Sequence, residues 1–465
     1  MEVNFAGGAY QTFSKDLNAQ ECVNFFVHID QHGSTSPLSL RATPGLKEWC
    51  DTGHRDEVRG LHKFGSYVYA VVGNRIYRIN KAKSATLCTG NLSSRSGAVS
   101  IASSASEVMI VDGTKGYIIS ETTLAEITDD AFPDAATTVT YQDGYFLVSA
   151  GSRIYISDLL DGTSWDGTMY FNAEGQADNT LAVESFHRDI IPFGTESLEF
   201  WYNSGNTVPF DRKPGTFQEI GIGAKDSIAQ VTNTIFFLTN EYQVATLSGH
   251  QPKPVSTRSI DYQISQYEKK DDAIGMGINI EGNAFYILTF PTANVTWCYN
   301  AATDFWHQLM SYPNPYQNKW RGNCYSYFND KHLVGDYNNG KIYELDFNTY
   351  KDNSELIRRT RVSEQVKKDG KNLFHYRLEI FLESGVGLIT GQGSDPQVML
   401  QYSDDGGHTW SSEIWRSAGK IGKYDWRVVW DRLGVSRHRN YKVTVTDPVK
   451  WVITNANLEV TVGTT

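Results

Sequence analysis

The strongest constraint on the fold is an alternation of apolar and polar side chains, with a period of two, along most of the chain. Short segments rich in Val, Ile, Tyr and Phe are separated by Gly, Asn, Asp and Ser, and helical periodicity is almost absent. Successive side chains of a strand point to opposite faces, so this pattern predicts half-buried strands joined by tight turns. We therefore expect an all-β protein.

Seven segments each read as two strands around a tight turn. Gly73-Asn74 in the first and Asn339-Gly340 in the last can supply the positive φ angles of two-residue hairpin loops. The segments start about every 35 to 50 residues, which is the spacing of β-propeller blades. We expect a propeller-like core of about six or seven hairpin units, with a pair of β-sandwiches as the main competitor. The segments are Tyr67–Asn80, Val108–Ser120, Gly144–Asp158, Asp189–Trp201, Asn233–Leu247, Asn283–Leu309 and His332–Asp346.

The two ends of the chain lie outside this series. We expect extended segments at residues 1–58 that pack with the C-terminal domain, a propeller-like domain at 59–351 and a C-terminal β domain at 352–465. The polar stretch KDNSELIRRTRVSEQVKKDGKN reads as a linker or exposed edge, and its arginines as a solvated charge run. The net charge of the chain is −11, but residues 355–465 carry 16 basic and 13 acidic side chains. Overall acidity argues against a protein that coats nucleic acid.

The sharpest local motif, SDDGGHTW, fits the Asp-box hairpin S-x-D-x-G-x-T-W. In such a hairpin the Asp and Ser side chains bond turn amides, and glycine takes a conformation that other residues disfavour. We interpret the motif as a folding device. Its residues are Ser403, Asp405, Gly407, Thr409 and Trp410.

A basic stretch from Arg416 to Lys450 carries nine positive and three negative side chains, interleaved with Trp426, Trp430 and Tyr441. Its arginines are candidates for a subunit interface, and an ordinary solvent-facing strand is the equal alternative. The candidate interface residues are Arg427, Arg432, Arg437 and Arg439.

The sequence does not support an enzyme. Phosphate-binding and nucleophile-elbow motifs are absent, and nothing singles out a pair of carboxylates for glycoside hydrolysis. His28 and His32 have the spacing of a helical zinc site, but the flanking residues alternate like a strand. The five cysteines are far apart and read as reduced, buried thiols. We expect no cofactor, no metal, no signal peptide and no membrane span.

The order of several segments resembles the packaged-DNA stabilisation proteins of short-tailed phages, which are also called tail accessory factors, tail hubs or nozzles. The resemblance spans nearly the whole chain. The segments that carry it are Cys22-Val23-Asn24, Thr43-Pro44-Gly45-Leu46, Asp161–Trp165, EGQAD at 174–178, FHRDIIPFGTESLEFWYNSG, VTWCYNAATDFWH, Leu333–Asp346, Asp395-Pro396, VMLQYSDDGGHTWSSE, Gly419, Gly422-Lys423-Tyr424 and RVVWDRLGVSRHRNYKVTVTDPVKWVI.

This resemblance implies a structural virion protein made and assembled in the host cytoplasm. Family members build a propeller with further β domains, and form a hexameric ring below the portal and its adaptor. The ring extends the DNA channel, helps to retain packaged DNA and docks fibres or spikes and a needle or plug. Double-stranded DNA would pass without sequence-specific binding. The alternative is an Asp-box propeller that binds or hydrolyses cell-surface glycans.

Overall fold

Four-stranded antiparallel sheets make up most of the computed structural model, which describes residues 3–30, 38–173, 175, 178–312 and 318–463. Five of these sheets, here called blades 1 to 5, are each built from strands that are consecutive in the sequence. Their strands are, in blade 1, Val58–Phe64, Tyr67–Val72, Arg75–Asn80 and Ala85–Leu87; in blade 2, Ser100–Ser103, Val108–Val111, Gly116–Ser120 and Thr123–Glu126; in blade 3, Thr138–Gln142, Tyr145–Ala150, Arg153–Asp158 and Asp161–Asn172; in blade 4, Thr180–Phe186, Asp189–Gly194, Trp201–Asn203 and Phe210–Arg212; and in blade 5, Ala229–Val231, Thr234–Leu238, Val244–Ser248 and Gln251–Pro254.

Two further sheets complete a ring. The strands of blade 6 are Ile274–Ile280, Asn283–Phe290, Val295–Asn300 and Phe305–Ser311, and those of blade 7 are Gly322–Phe328, Lys331–Asp336, Lys341–Asp346 and Gly45–Asp51. From blade 1 to blade 4 and from blade 5 through blade 7 back to blade 1, the first strand of each blade contacts the first strand of the next. Blades 4 and 5 share a buried apolar cluster that includes Phe193 and Phe237. Over the described residues the propeller therefore has seven blades, which confirms the predicted all-β core of six or seven units.

Apolar side chains on facing sheets hold neighbouring blades together. Tyr69 and Val71 of blade 1, for example, share one buried cluster with Val108 and Ile110 of blade 2. Each blade has two apolar faces, so only stacking within a closed ring buries both of them.

The last hairpin turn of the ring differs from its prediction. Gly73 in the first hairpin has a φ of +57°, but Gly340 lies outside the positive-φ region. Its amide donates to the carbonyl of His54 at 3.0 Å, and a Cβ added here would lie 2.3 Å from that oxygen. Glycine is required at this position by the close approach of two backbones, and the predicted positive φ is wrong.

A β-sandwich follows the propeller. One of its sheets consists of Phe25–Ile29, Leu38–Ala42, Val452–Val462, Leu373–Leu382 and Val428–Ser436, and the other of Cys22–Val23, Arg359–Val362, His438–Val445, Gln397–Ser403 and Ile414–Ser417, with Val366–Lys367 paired to its third strand. Trp430, Tyr441 and Trp451 are fully buried in the apolar cluster between the two sheets.

The propeller and the sandwich share one continuous sheet. Val23 pairs in parallel with Gln308 of blade 6, and Cys22 pairs antiparallel with Arg361 of the sandwich. Asn24 strengthens this junction, because its side-chain amide donates to the carbonyls of Met310 at 2.9 Å and Arg358 at 2.8 Å. The N-terminal segment thus joins the two parts of the molecule.

This junction corrects the interpretation of residues 351–372 as a linker or exposed edge. Arg359 and Arg361 are fully buried on a central strand of the shared sheet. The guanidinium of Arg361 donates to the carbonyls of Phe5, Gly8 and Glu21 and to the side chain of Gln20. A run of charges normally faces solvent, but a guanidinium can be buried where several acceptors converge on it.

The remaining elements are short. They are the two-stranded sheet Tyr10–Gln11 and Ala19–Gln20, the strands Asn318–Lys319, Lys351–Asp352 and Glu355–Leu356, the 3-10 helix Lys225–Ser227 and the α-helix Arg258–Ser265, which the Thr257 side chain caps. Within the described residues, neither helix has the length and hydrophobicity needed to cross a bilayer.

Candidate assembly surface

The Asp-box hairpin closes on itself through short hydrogen bonds. The Ser403 hydroxyl is buried, donates to Asp405 at 2.7 Å and accepts from the Gly407 amide at 2.8 Å. Asp405 accepts from the Thr409 amide and from its hydroxyl, which holds the pKa of the carboxyl far below its ordinary value. Trp410 is half-buried, with the Lys442 ammonium 4.0 Å from the centre of its ring. That the role of this motif is structural stays a prediction.

Arg439 ties this hairpin to the sandwich. Its side chain is buried, donates to both carboxylate oxygens of Asp404 at 2.6 and 2.7 Å, and lies 4.1 Å over the Tyr402 ring. It also donates to the carbonyl of Leu433. The expectation that Arg439 faces a partner is therefore corrected, because its donors are engaged within the subunit.

The other three candidate interface arginines are exposed. Arg427 forms two hydrogen bonds with Glu379, at 2.6 and 2.7 Å. Arg432 lies at an irregular position of its strand with a φ of +61°, and Arg437 occupies the turn before His438–Val445. The structure does not gather the four arginines into one basic site, so an interface role for Arg427, Arg432 and Arg437 stays a prediction.

The sandwich instead presents an exposed apolar surface on two neighbouring loops, residues 383–396 and 418–427. Tyr424 is 76% exposed and Ile389 83% exposed, although both are large and apolar. We call this surface the apolar loop patch and define it by Leu388, Ile389, Ile421, Tyr424 and Trp426. Contiguous exposed apolar side chains rimmed by polar groups are typical of protein–protein interaction sites.

Hydrogen bonds hold these loops in place. The amide of Gly422 donates to the carbonyl of Gly385 at 3.1 Å, and the Ser384 hydroxyl donates to the carbonyl of Tyr424 at 2.8 Å. The Trp426 indole donates to the carbonyl of Ser417 at 2.9 Å. The patch is therefore ordered before any partner arrives, which lowers the entropy lost on binding.

We did not predict this apolar surface from the sequence, because we interpreted the basic stretch through its charged residues alone. A usable signal was present in KIGKYDW at residues 420–426, where three large apolar residues stand in a Gly- and Lys-rich loop and break the two-residue alternation. Such residues have no sheet face to occupy, so their exposure is the simplest expectation.

The centre of the propeller holds a cavity of about 310 Å³, lined by blades 1 to 4, 6 and 7 and by the segment just before blade 5. Arg59 donates to the carbonyls of Gly73 and Ser94 rather than into the cavity, and Lys225 pairs with Asp226 at 2.8 Å. Burial raises the pKa of Glu184 to about 7. The arginines and paired carboxylates that a glycan-cleaving centre needs are thus not assembled here. In the described part of the chain no group of three or more His, Cys, Asp or Glu side chains could hold a metal ion, and His32 lies outside that part.

Two family patterns match the chain. The family described as "Bacteriophage P22 Gp10, beta-propeller" matches residues 1–350, and the family described as "Bacteriophage P22 Gp10, beta-sandwich" matches residues 358–461. Together they cover the ring of blades and the strands that follow it.

Single relatives are more distant. The tail hub protein gp10 of Salmonella phage P22 is 21% identical over 305 residues, which is 63% of this chain and 62% of that protein. The solved structure of virginiamycin B lyase from Staphylococcus aureus is 14% identical, with a TM-score of 0.44 over 65% of this chain and 98% of that chain. BamB from Moraxella catarrhalis is 9% identical, with a TM-score of 0.40 over 70% of this chain and 98% of that chain.

Proposed function

The chain belongs to the family of bacteriophage P22 Gp10 and is a structural protein of a phage tail, and from this premise we propose that it forms the tail hub ring. In this proposal six copies assemble below the portal and its adaptor, in the host cytoplasm, without enzymatic activity. The ring extends the DNA channel, helps to retain packaged DNA and docks tail fibres or spikes and a needle or plug.

The apolar loop patch is the observation that carries the proposal. A protein that works alone gains nothing from exposing Ile389, Tyr424 and Trp426 on ordered loops. Aromatic residues of this kind are enriched at the centres of stable interfaces. We infer that the patch is covered by protein in the assembled tail.

The charge distribution supports a role as a conduit. Residues 355–465 have a net charge of +3 and the rest of the chain −14. An acidic wall repels phosphate, so DNA would slide along a lumen formed by the propeller domains. A strong mobility shift of DNA by the purified protein at physiological salt would contradict this part of the proposal.

Negative-stain imaging of the protein alone and mixed with its cognate portal–adaptor complex tests the ring. We expect rings, or density added to the portal end of the complex. Monomers that never associate with the portal–adaptor complex would contradict the proposal. A glycan array would then test the propeller as a glycan-binding protein.

A further inference from the structure

The turn between the last two strands of blade 3 breaks the ordinary rule for its type. Leu159 and Leu160 fill both positions of a two-residue hairpin loop, flanked by the paired residues Asp158 and Asp161. Such loops favour Asn-Gly, Asp-Gly or Gly-Gly, because they need positive φ angles. Leu160 nevertheless adopts a φ of +62°. When a residue violates the backbone preference of its turn without stabilising the fold, the position is a candidate for a functional role.

The two leucines also face solvent. Leu159 is 58% and Leu160 67% exposed, and Leu159 leans on Gly144 across the turn. Neither side chain belongs to a core cluster, and more than half of each is left exposed to solvent. We call this feature the dileucine turn. Its shape is that of a small apolar projection on a rigid sheet.

The charges beside the dileucine turn and the apolar loop patch are complementary. Asp158 and Asp161 bracket the two leucines, while Lys420 and Lys423 bracket Ile421 in the patch. All four charged groups are at least partly accessible to solvent. Complementary charges around an apolar centre fix the register of an interface and speed its formation.

Opposite charges are present on both surfaces but are fewer or already paired. Arg188 lies beside the dileucine turn, 3.6 Å from Asp143, and Asp425 lies within the patch loop. The dileucine turn therefore carries the order acid–apolar–acid, and the apolar loop patch carries the order base–apolar–base.

We propose that the dileucine turn of one copy docks on the apolar loop patch of the next copy. This inference rests on the proposed ring and names the contact that closes it. The turn and the patch are different surfaces of one chain, and neither covers the other within the subunit. Contact between unlike surfaces is head-to-tail, and repetition of such a contact closes into a ring when the rotation allows it.

Disulfide trapping tests the contact directly. A Leu159→Cys copy is mixed with an Asp425→Cys copy under mild oxidation, and both variants keep Leu160, Tyr424 and Trp426. We expect a cross-linked dimer at several times the yield of a control pair, in which Leu87→Cys on blade 1 replaces Leu159→Cys. Leu87 is a comparably exposed propeller residue, and four of the five native cysteines are buried. A yield equal to that of the control pair would overturn the inference.

A second variant separates assembly from folding. The double substitution Leu159→Asn, Leu160→Gly gives the turn its preferred residues, so the melting temperature should stay the same or rise. Self-association, or ring formation on the portal–adaptor complex, should weaken about tenfold or more if the leucines are an interface anchor. If this variant forms rings as the parent does, the ring stands and the contact proposed here is wrong. A third outcome is that the variant loses only its binding to the portal–adaptor complex, with no cross-linked dimer in the disulfide experiment. In that case the leucines contact a different protein, and a contact between two copies of this chain is excluded.

Discussion

Blades 1 to 5 and the sandwich are both built from β-sheets, but they differ in how far apart in the sequence their neighbouring strands lie. Every sheet of blades 1 to 5 uses four consecutive strands. One sheet of the sandwich orders its strands as Phe25–Ile29, Leu38–Ala42, Val452–Val462, Leu373–Leu382 and Val428–Ser436. The first arrangement repeats a local unit, while the second needs both ends of the chain.

The two regions also differ in what they bury. Clusters between neighbouring blades are built from Val, Ile, Leu, Phe, Tyr and similar side chains. Among the described residues, blades 1 to 5 bury one arginine, Arg59, whereas the sandwich and its junction with blade 6 bury three, Arg359, Arg361 and Arg439. Where the N-terminal segment meets the shared sheet, the Arg361 guanidinium bonds three backbone carbonyls at once.

The largest effect is expected at the junction. Arg361→Met would remove four hydrogen bonds, which should lower the free energy of unfolding by about 4 kcal/mol. The Phe5 and Glu21 carbonyls keep backbone donors, but the Gly8 carbonyl and the Gln20 side-chain oxygen lose the Arg361 donor. Urea unfolding measures the loss, and limited proteolysis should show release of residues near Phe5. Arg358→Met, at a half-buried neighbour, is the control and should change little. Equal losses in the two variants would mean that the junction does not depend on Arg361.

The next largest loss of stability is expected from a substitution where blade 7 closes the propeller. Gly340→Ala places a methyl group against the His54 carbonyl and should destabilise the protein by about 2 kcal/mol. Gly167→Ala is the matched control, because the nearest atom to its added Cβ is 3.8 Å away. Calorimetry of both variants makes the comparison. A small effect at Gly340 would show that the closing strand tolerates displacement.

The propeller axis should show a pH dependence of stability that comes from Glu184. The folded-state pKa of Glu184 is about 7, above the ordinary 4.5, because burial disfavours its charged form. Between these values the unfolded chain releases a proton that the folded chain keeps, so this contribution lowers stability as the pH rises from about 4.5 to 7. Glu184→Gln should therefore raise stability at pH 8 by about 1 kcal/mol and change it little at pH 4. Melting temperatures at both pH values test this against exposed Glu219→Gln, and parallel shifts in the two variants would contradict it.

The smallest effect is expected in the Asp-box hairpin. Ser403→Ala removes one donor and one acceptor at a buried position and should reduce stability by about 1 kcal/mol. Ser412→Ala, exposed on the same hairpin, should be neutral. Thermal unfolding distinguishes them. If assembly fails while stability is unchanged, the hairpin has a role beyond folding.

The parts of the fold that could be predicted are those with local causes. The Tyr67–Asn80 hairpin forms around Gly73 as predicted, since alternation and a turn residue fix it without help from the rest of the chain. The role of Gly340 and the burial of Arg361 could not be predicted, because they depend on the backbones of His54 and Phe5, which are distant in the sequence. The candidate surface was misplaced for a related reason: charge alone does not show whether an arginine, such as Arg439, is already paired within the subunit.

The five-stranded sheet of the sandwich also sets the order in which a newly made chain can mature. Leu38–Ala42 leaves the ribosome before the blades do, but its partner Val452–Val462 is made only after the whole propeller. At about 5–20 residues per second, the early strand waits on the order of 20 to 80 s for that partner. Blades 1 to 5 can form during this interval, while Leu38–Ala42 lacks its pairing with Val452–Val462. The sandwich, and the apolar loop patch with it, therefore matures only after the propeller has been made, which delays assembly through this patch until the propeller is present.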